Sequence, residues 1–217
     1  MAVRRIKIGE ESTPRKVFVW ALDWSGWCRS ARDFDAALEA LVTAADRYAV
    51  VARAAGLDFP AVAAAKFEVS DRVVGGGATE FGVPSMITDG DRRAVSTAEA
   101  RKLASLVASS WATFDAVAAA APEVLRKGPR GGGRDTSKIV AHVNEADYAY
   151  AREIGIKLKA ATDRAGIESM RASILEVLGQ RSDGSPLAGR KWTQRYAARR
   201  IAWHALDHAW EIEDKSE

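Results

Sequence analysis

The chain has 217 residues, of which 28% are charged and 47% hydrophobic, the balance of an ordinary globular protein. Its 32 basic and 29 acidic residues leave a net charge of only +3, which argues against a nucleic-acid partner because such proteins concentrate positive charge. There is no apolar run long enough to span a membrane, no apolar secretory signal after the basic start, and one cysteine that has no second cysteine to pair with, so we expect no membrane partner and a cytoplasmic location.

The first 90 residues combine strand and helix patterns. β-Branched and aromatic residues over 16–22 predict a buried strand, and residues 3–8 are its expected partner. Residues 66–73 alternate in polarity, which predicts another strand, and a short strand over 79–83 is expected after three glycines.

A helix is predicted between these strands. Asp33 is typical of a helix N-cap, because its carboxylate can accept a hydrogen bond from the first turn. Apolar residues at helical spacing continue from there toward Ala55, and Gly56 is the expected glycine just past the helix end.

In the stretch Val19–Ser30 a predicted strand is followed by Asp-Trp-Ser-Gly-Trp-Cys, and residues 35–41 read Asp-Ala-Ala-Leu-Glu-Ala-Leu. These stretches resemble the HicB-like antitoxin fold, in which a strand is followed by Asp-Leu-Pro-Gly-Cys and a helix opens with Glu-Glu-Ala-Leu. Ser25 stands in place of the proline. The resemblance implies a small β-β-α-β unit, which we place over residues 1–90.

From Ser96 onward the pattern is helical throughout. Ser96 and Glu99 form a capping box at the start of the first helix, which Pro122 closes. Three further helices are predicted over residues 135–154, 166–178 and 190–212. Four helices of this length predict a bundle over residues 96–217, so the fold class is α+β with two domains.

Residues 126–134, between the first and second helices of the bundle, are rich in glycine and basic side chains. One interpretation is a solvated, flexible loop. The other is an anion-binding rim, because glycines expose backbone N–H groups beside the cations.

The chain's three histidines fall in two of the bundle helices. His204 and His208 are four residues apart, about one helical turn, so they project from one face of the fourth helix. His142 lies in the second helix, and three imidazoles together would hold one divalent metal ion and leave a coordination position open. The alternative for each histidine is a core residue satisfied by a hydrogen bond.

A shared site sets a condition on the topology of the bundle. In an up-down-up-down bundle the second and fourth helices are parallel, and the histidines would differ in height by about 10 Å. Antiparallel packing brings them level, and it needs a connection that spans the bundle. Residues 155–165 are long enough, at roughly 33 Å when extended, so a common metal site predicts an up-down-down-up bundle.

This half resembles the DinB/YfiT-like superfamily, whose bundles have that topology, one histidine in the second helix and a His-x-x-x-His pair in the fourth. His142, within Ile-Val-Ala-His-Val, together with His204 and His208 matches those positions. The resemblance implies a solvent-open site for a divalent metal, zinc or nickel. It also implies a thiol-dependent transferase or isomerase activity, with mycothiol or bacillithiol as a low-molecular-weight cosubstrate.

Three more side chains are candidates for chemistry at such a site. Glu145 follows His142 by three residues and Glu211 follows His208 by three, so each carboxylate is placed to act as a general base or to orient a ligand. Arg200, one turn before His204, is placed to bind an anionic substrate. The alternatives are surface or interhelix ion pairs for the two glutamates and a solvated helix face for Arg200.

These observations favour a metal-dependent enzyme, a transferase or a hydrolase, that acts on a small-molecule substrate. The alternative is a non-enzymatic binding or regulatory module with a structural or vestigial metal site. The sequence after residue 90 has no helix-turn-helix or ribbon-helix-helix pattern, which argues against DNA binding of the antitoxin kind. A homodimer is compatible with the sequence.

Overall fold

A computed structural model describes residues 5–128 and 133–216, and within these ranges the fold is mixed α+β. The strands are β1 (Arg5–Ser12), β2 (Val17–Ala21), β3 (Cys28–Ala31) and β4 (Lys66–Val74). The α-helices are α1 (Phe34–Thr43), α2 (Ala45–Ala54), α3 (Gly77–Phe81), α4 (Thr97–Ala120), α5 (Thr136–Glu153), α6 (Arg164–Leu178) and α7 (Gln194–Ser216).

The four strands form one sheet in the order β3-β2-β1-β4, with β1 antiparallel to β2 and parallel to β4. Every residue of β2 is buried, because side chains alternate between the two faces and both faces are covered. Val19 belongs to the main core together with Leu41 of α1, whereas Phe18 and Trp20 pack with Trp203 of α7 on the opposite face.

The strand expected over 79–83 is wrong, because the chain forms the short helix α3 there. Thr79 Oγ1 accepts a hydrogen bond from the backbone N–H of Gly76 and donates one to the buried carboxylate of Glu11. The first bond closes the initial helical turn and the second fixes it to β1. Gly82 ends the helix in the left-handed region at φ 108°. The strands expected over 16–22 and 66–73 are confirmed as β2 and β4. The strand expected over 3–8 is confirmed from Arg5 onward as β1, and residues 3 and 4 lie outside the described ranges.

The single helix expected from Asp33 toward Ala55 is two helices, α1 and α2, which meet at Ala44. Its ends are as predicted, since Asp33 caps the backbone N–H of Ala36 and Gly56 has a φ of 72°. The break has a packing reason. α1 contacts β2 and β3, whereas α2 contacts α4, so the chain changes partner from the sheet to the long helices.

Contacts at both ends show that α4 and α7 run parallel. Near their starts, Arg195 of α7 pairs with Glu99 of α4 at 2.6 Å. Near their ends, Ala116 and Ala120 of α4 line the same surface pocket as Glu213 and Asp214 of α7.

α6 runs antiparallel to α4. Arg171 in the middle of α6 pairs with Asp115 near the end of α4 at 2.6 Å, whereas Ser182, just past α6, forms a β-bridge with Val95, just before α4. The capping box of Ser96 with Glu99 is present at the start of α4 as predicted.

α5 runs antiparallel to α7. Its His142 lies against His208, with ring centroids 5.0 Å apart, and its Tyr150 lies against Trp192, just before α7, at 5.2 Å. Advancing along α5 therefore means going back along α7, which is the relation that a shared histidine site requires.

α7 lies between the sheet and the other long helices, and 16 of its 23 residues are buried. The turn from β2 to β3 is seated directly on it: a Cβ on Gly26, whose φ is +95°, would lie 2.8 Å from Leu206 and 3.0 Å from Ala202. The main hydrophobic core is continuous from the sheet through α1 and α2 into the bundle. The division into domains over 1–90 and 96–217 stays a prediction.

Among the described helices only α4 is long and apolar enough to cross a membrane. Core helices of soluble proteins have the same length and composition, and the buried side chains of α4, such as Leu106 and Phe114, belong to the common core. The packing of α4 is compatible with a soluble protein.

Candidate metal centre

The three histidines converge between α5 and α7. Their ligating nitrogens all lie within 4.8 Å of one another, and Nε2 of His204 is 3.2 Å from Nε2 of His142. The ring of His208 is 5.0 Å from that of His142 and 4.7 Å from that of His204, centroid to centroid. The three residues lie close enough to bind one metal ion.

One pair of nitrogens already has the spacing that a divalent ion needs. Zinc binds imidazole nitrogen at about 2.0–2.1 Å in tetrahedral geometry, so two nitrogens on one ion are about 3.4 Å apart. The pair His142 and His204 is close to that separation. The other separations, which are at most 4.8 Å, must shorten by up to roughly 1.4 Å when an ion binds.

The surroundings keep at least two of the rings neutral. Burial lowers the pKa of His204 well below its ordinary value, and its electrostatic interactions with His208 and Arg200 lower it further. The pKa of His142 is also lowered, by burial first and then by Arg134. A neutral imidazole has a lone pair to give to a metal, whereas a protonated one has none.

Glu211 orients His208. Its Oε2 lies 2.7 Å from Nδ1 of His208, and its Oε1 accepts from Nζ of Lys215 at 2.5 Å. The hydrogen bond with His208 and the one with Lys215 lower the pKa of Glu211 to about 2, so the group is ionised. Because Nδ1 of His208 is engaged, Nε2 is left for a metal, the usual arrangement for a ligating histidine. Of the two roles expected for Glu211, the geometry favours the orienting one.

His204 has no such partner. Its Nδ1 is buried and has no hydrogen bond within the described part of the chain. Nε2 faces His142, so of its two nitrogens the one that points into the cluster is the one available as a ligand.

Glu145 lies beside the three histidines but forms no hydrogen bond with them. The residue is exposed, and its negative charge raises the pKa of His142. Across the described ranges it makes no hydrogen bond or ion pair, unlike Glu211. Its role as a general base stays a prediction.

Tyr150 is a neighbour of the site that sequence reasoning missed. Its ring centroid is 5.5 Å from that of His204, and burial raises the pKa of its hydroxyl to about 12, so the group is protonated at neutral pH. The signal was present in the sequence, because Tyr150 follows His142 by eight residues and therefore shares its face of α5.

Arg200 is not on a solvated helix face. Its side chain is buried, with 8% of the residue exposed. The guanidinium lies over the rings of Tyr150 and Trp203, at 5.2 and 4.7 Å from their centroids. The alternative expected for this residue is therefore wrong, and the candidate role in binding an anion stays a prediction.

The basic segment 126–134 is only partly described, because residues 129–132 lie outside the described ranges. Arg126 donates to the carbonyl of Asp214 at 2.7 Å, and Lys127 pairs with Asp135. Arg134 lowers the pKa of His142 and of His204, which puts this end of the segment near the histidines.

No family model, curated protein or solved structure matches the chain. The similarity to the DinB/YfiT-like and HicB-like families therefore stays a prediction, and the geometry of the three histidines and their neighbours carries the functional argument.

Proposed function

We propose that the chain is a divalent-metal-dependent enzyme of the DinB/YfiT-like kind, with zinc or nickel held by His142, His204 and His208. The observation that carries this proposal is the convergence of the three imidazoles between antiparallel helices, with their ligating nitrogens within 4.8 Å. The remaining parts of the proposal are a small-molecule substrate and a cytoplasmic location.

The side chains around the histidines have different roles in the proposed reaction. A bound divalent ion supplies a Lewis-acidic coordination position that activates water or a thiol. Glu211 holds His208 through Nδ1, which fixes the ring and keeps its other nitrogen available. Glu145 is the base that accepts a proton from the attacking group, because it is ionisable, exposed and close enough to act on His142.

The reaction we propose is thiol-dependent transfer with mycothiol or bacillithiol, with hydrolysis as the second possibility. The antiparallel relation of α5 and α7 and the positions of the three histidines support this choice, because they are the features on which the family resemblance rests. The HicB-like half is proposed as a support for α7, since Trp203 packs against Phe18 of β2.

Metal content is the first test. We expect wild-type protein, loaded with zinc or nickel and then dialysed, to retain about one ion per chain. The double variant His204→Ala/His208→Ala should retain none after the same treatment, because two of three ligands are gone. Elemental analysis measures both, and circular dichroism shows whether the variant is folded.

Glu145→Gln is the matched control, since it alters a charge beside the site without removing a ligand. It should retain metal like the wild type. Equal metal content in the wild type and the double histidine variant would overturn the proposal.

Turnover then separates an enzyme from a binding module. Metal-loaded protein is assayed for conjugation of electrophilic substrates with mycothiol and with bacillithiol, and for ester and amide hydrolysis. A rate that disappears in the double histidine variant supports the enzyme. A bound metal with no turnover in any of these assays would favour the regulatory module instead.

A further inference from the structure

A cavity of about 560 Å³ opens beside the histidines, between α5, α7, residues 83–92 and residues 186–192. Two of its lining side chains, Tyr150 and Arg200, also adjoin the metal centre. Tyr150 contacts the ring of His204, and Arg200 lies one helical turn before His204. These two side chains connect the cavity to the metal centre, and the three histidines themselves are not among its lining residues.

The lining of the cavity is cationic and aromatic. It includes four basic side chains and no carboxylate. Three of these, Arg92, Arg190 and Lys191, are exposed at its mouth. The walls carry Trp192 and Tyr196 beside Tyr150. Clefts lined by one sign of charge attract ligands of the opposite sign, so the cavity is suited to an anion.

Arg200 is the buried cation of this cavity, and it lacks a protein partner. Its Nη1 is buried without a hydrogen bond, and the described ranges provide no carboxylate within ion-pair distance of its guanidinium. The rings of Tyr150 and Trp203 lie against the guanidinium. Its N–H groups are therefore left to bond in the plane of the guanidinium, the direction in which arginine binds carboxylates.

The neighbouring arginine differs from Arg200 in having a carboxylate partner, although its own Nη1 is likewise buried without a hydrogen bond. Arg199 is 5% exposed, and it donates to both carboxylate oxygens of Asp91, from Nη2 at 2.6 Å and from Nε at 3.2 Å. A buried charge without a partner is costly. The contrast indicates that the partner of Arg200 is supplied by a ligand.

We infer that this cavity binds a small carboxylate with a planar apolar part, with Arg200 as its anion-binding residue. A planar monoanion suits one buried guanidinium between aromatic walls, whereas a phosphate dianion would need further buried cations and the other three are at the mouth. The inference deepens the proposed function and rests on it for one point, that the carboxylate is a substrate of the metal centre. Binding of the anion itself needs no metal.

The test is calorimetric titration of the full chain with benzoate, in chelator-treated and in metal-loaded form. Benzamide, which has the same shape without the charge, should bind at least about tenfold more weakly, because a charge-assisted hydrogen bond is lost. Inorganic phosphate should also bind more weakly than benzoate. Equal binding of benzoate and benzamide, or binding of phosphate in preference to benzoate, would overturn the inference without any variant.

Variants then assign the binding to Arg200. Arg200→Gln should weaken benzoate at least about tenfold, whereas Lys191→Gln, at the exposed mouth, should change it by less than about threefold because surface charges are screened. The indole N–H signal of Trp192, assigned with Trp192→Phe, should shift with benzoate in the wild type. Unchanged affinity in Arg200→Gln would contradict the inference.

The two proposals can fail separately. Benzoate binding by the chelated protein, combined with metal content that is insensitive to the histidine substitutions, would keep the cavity and remove the metal centre. Metal that is retained by the wild type but lost in the histidine variant, together with no benzoate binding, would keep the metal centre and remove the carboxylate-binding cavity.

Discussion

The single residue that most shapes the candidate centre is Glu211. A carboxylate on Nδ1 fixes the orientation of His208 and increases the basicity of its other nitrogen. The residue could be named from sequence because it follows His208 by three positions on a helix. Its role could not, since a carboxylate at that spacing is placed equally well to orient a ligand or to accept a proton. Only the 2.7 Å contact with Nδ1 distinguishes the two.

Replacing Glu211 with glutamine should weaken the metal without removing a ligand. The amide oxygen still accepts from Nδ1 of His208, but the negative charge is lost, so we expect the affinity for zinc to fall by about 10- to 100-fold. Competition with a chromophoric chelator measures it. Glu213→Gln is the matched control, because Glu213 is on the same helix and pairs with Arg47 instead. Equal zinc affinity in Glu211→Gln and the control would show that Glu211 does not support the ligand.

At the scale of elements, the sequence predicts the helices and strands that have strong local patterns, whereas it does not predict the short helix α3 or the break between α1 and α2. The long helices could be predicted because their apolar residues recur at helical spacing and α4 begins with the cap Ser96, and β2 because its residues are β-branched and aromatic. The break between α1 and α2 at Ala44 is not marked by a glycine or proline. It arises because α1 packs on the sheet and α2 packs on α4. α3 depends on Glu11, which is 68 residues away from Thr79, so no local pattern could reveal it.

Helix packing also buries one carboxylate between α5 and α6 without a close ionic partner. Asp147 of α5 is fully buried, with its nearest ionic partner, Nε of Arg171 in α6, 3.8 Å from its Oδ2. Neither oxygen accepts a hydrogen bond of good geometry within the described chain, although the indole N–H of Trp111 is near enough to oppose the rise in its pKa. Burial raises its pKa from 3.8 to about 7, although Arg171 opposes the rise.

This burial predicts a pH-dependent stability. A carboxyl group with a raised pKa favours the folded state fully below its unfolded pKa, near 4, and this contribution is lost as the pH rises through 7. We expect the free energy of unfolding of metal-free protein to fall by about 4 kcal/mol from this group between pH 4 and pH 8, at about 1.4 kcal/mol per pKa unit.

Asp147→Asn isolates the contribution, since it removes the titration and leaves Arg171 paired with Asp115. The variant should be more stable than the wild type at pH 8 and close to it at pH 4.5, as measured by urea denaturation. A stability difference that does not change with pH would contradict the assignment.

At the scale of the whole molecule, α7 is the central helix, and both the sheet and the other long helices pack against it. It carries two of the three histidines and the arginine of the cavity, and one side of it supports the sheet. This could not be read from the sequence, because the spacing of apolar residues within α7 does not say which element each of its faces contacts. The contact between Phe18 and Trp203, which joins segments 185 residues apart, forms only in the complete fold.

The segment between the sheet and α4 is fixed to both sides by carboxylates. Glu11 of β1, which is fully buried, accepts from the backbone N–H groups of Ser85 and Met86 at 3.1 and 2.9 Å. A few residues later Asp91 pairs with Arg199 of α7, whose guanidinium lies 4.2 Å from the ring centroid of Trp20 in β2. The buried ion pair thus fixes to α7 the same segment that Glu11 fixes to the sheet, in addition to the common core.

Breaking that ion pair should therefore destabilise the whole molecule. In Asp91→Asn the guanidinium of Arg199 stays buried without its anion, and removal of one partner of a buried pair costs about 3–5 kcal/mol. Because the core is continuous, we expect the loss to appear as a lower midpoint of a single unfolding transition, followed by circular dichroism and by tryptophan fluorescence together. Asp89→Asn, an exposed aspartate in the same segment, is the control and should leave the midpoint nearly unchanged. Equal midpoints for the two variants, or fluorescence and circular dichroism transitions that separate in the wild type, would show that the ion pair and the shared core do not couple the sheet to the bundle.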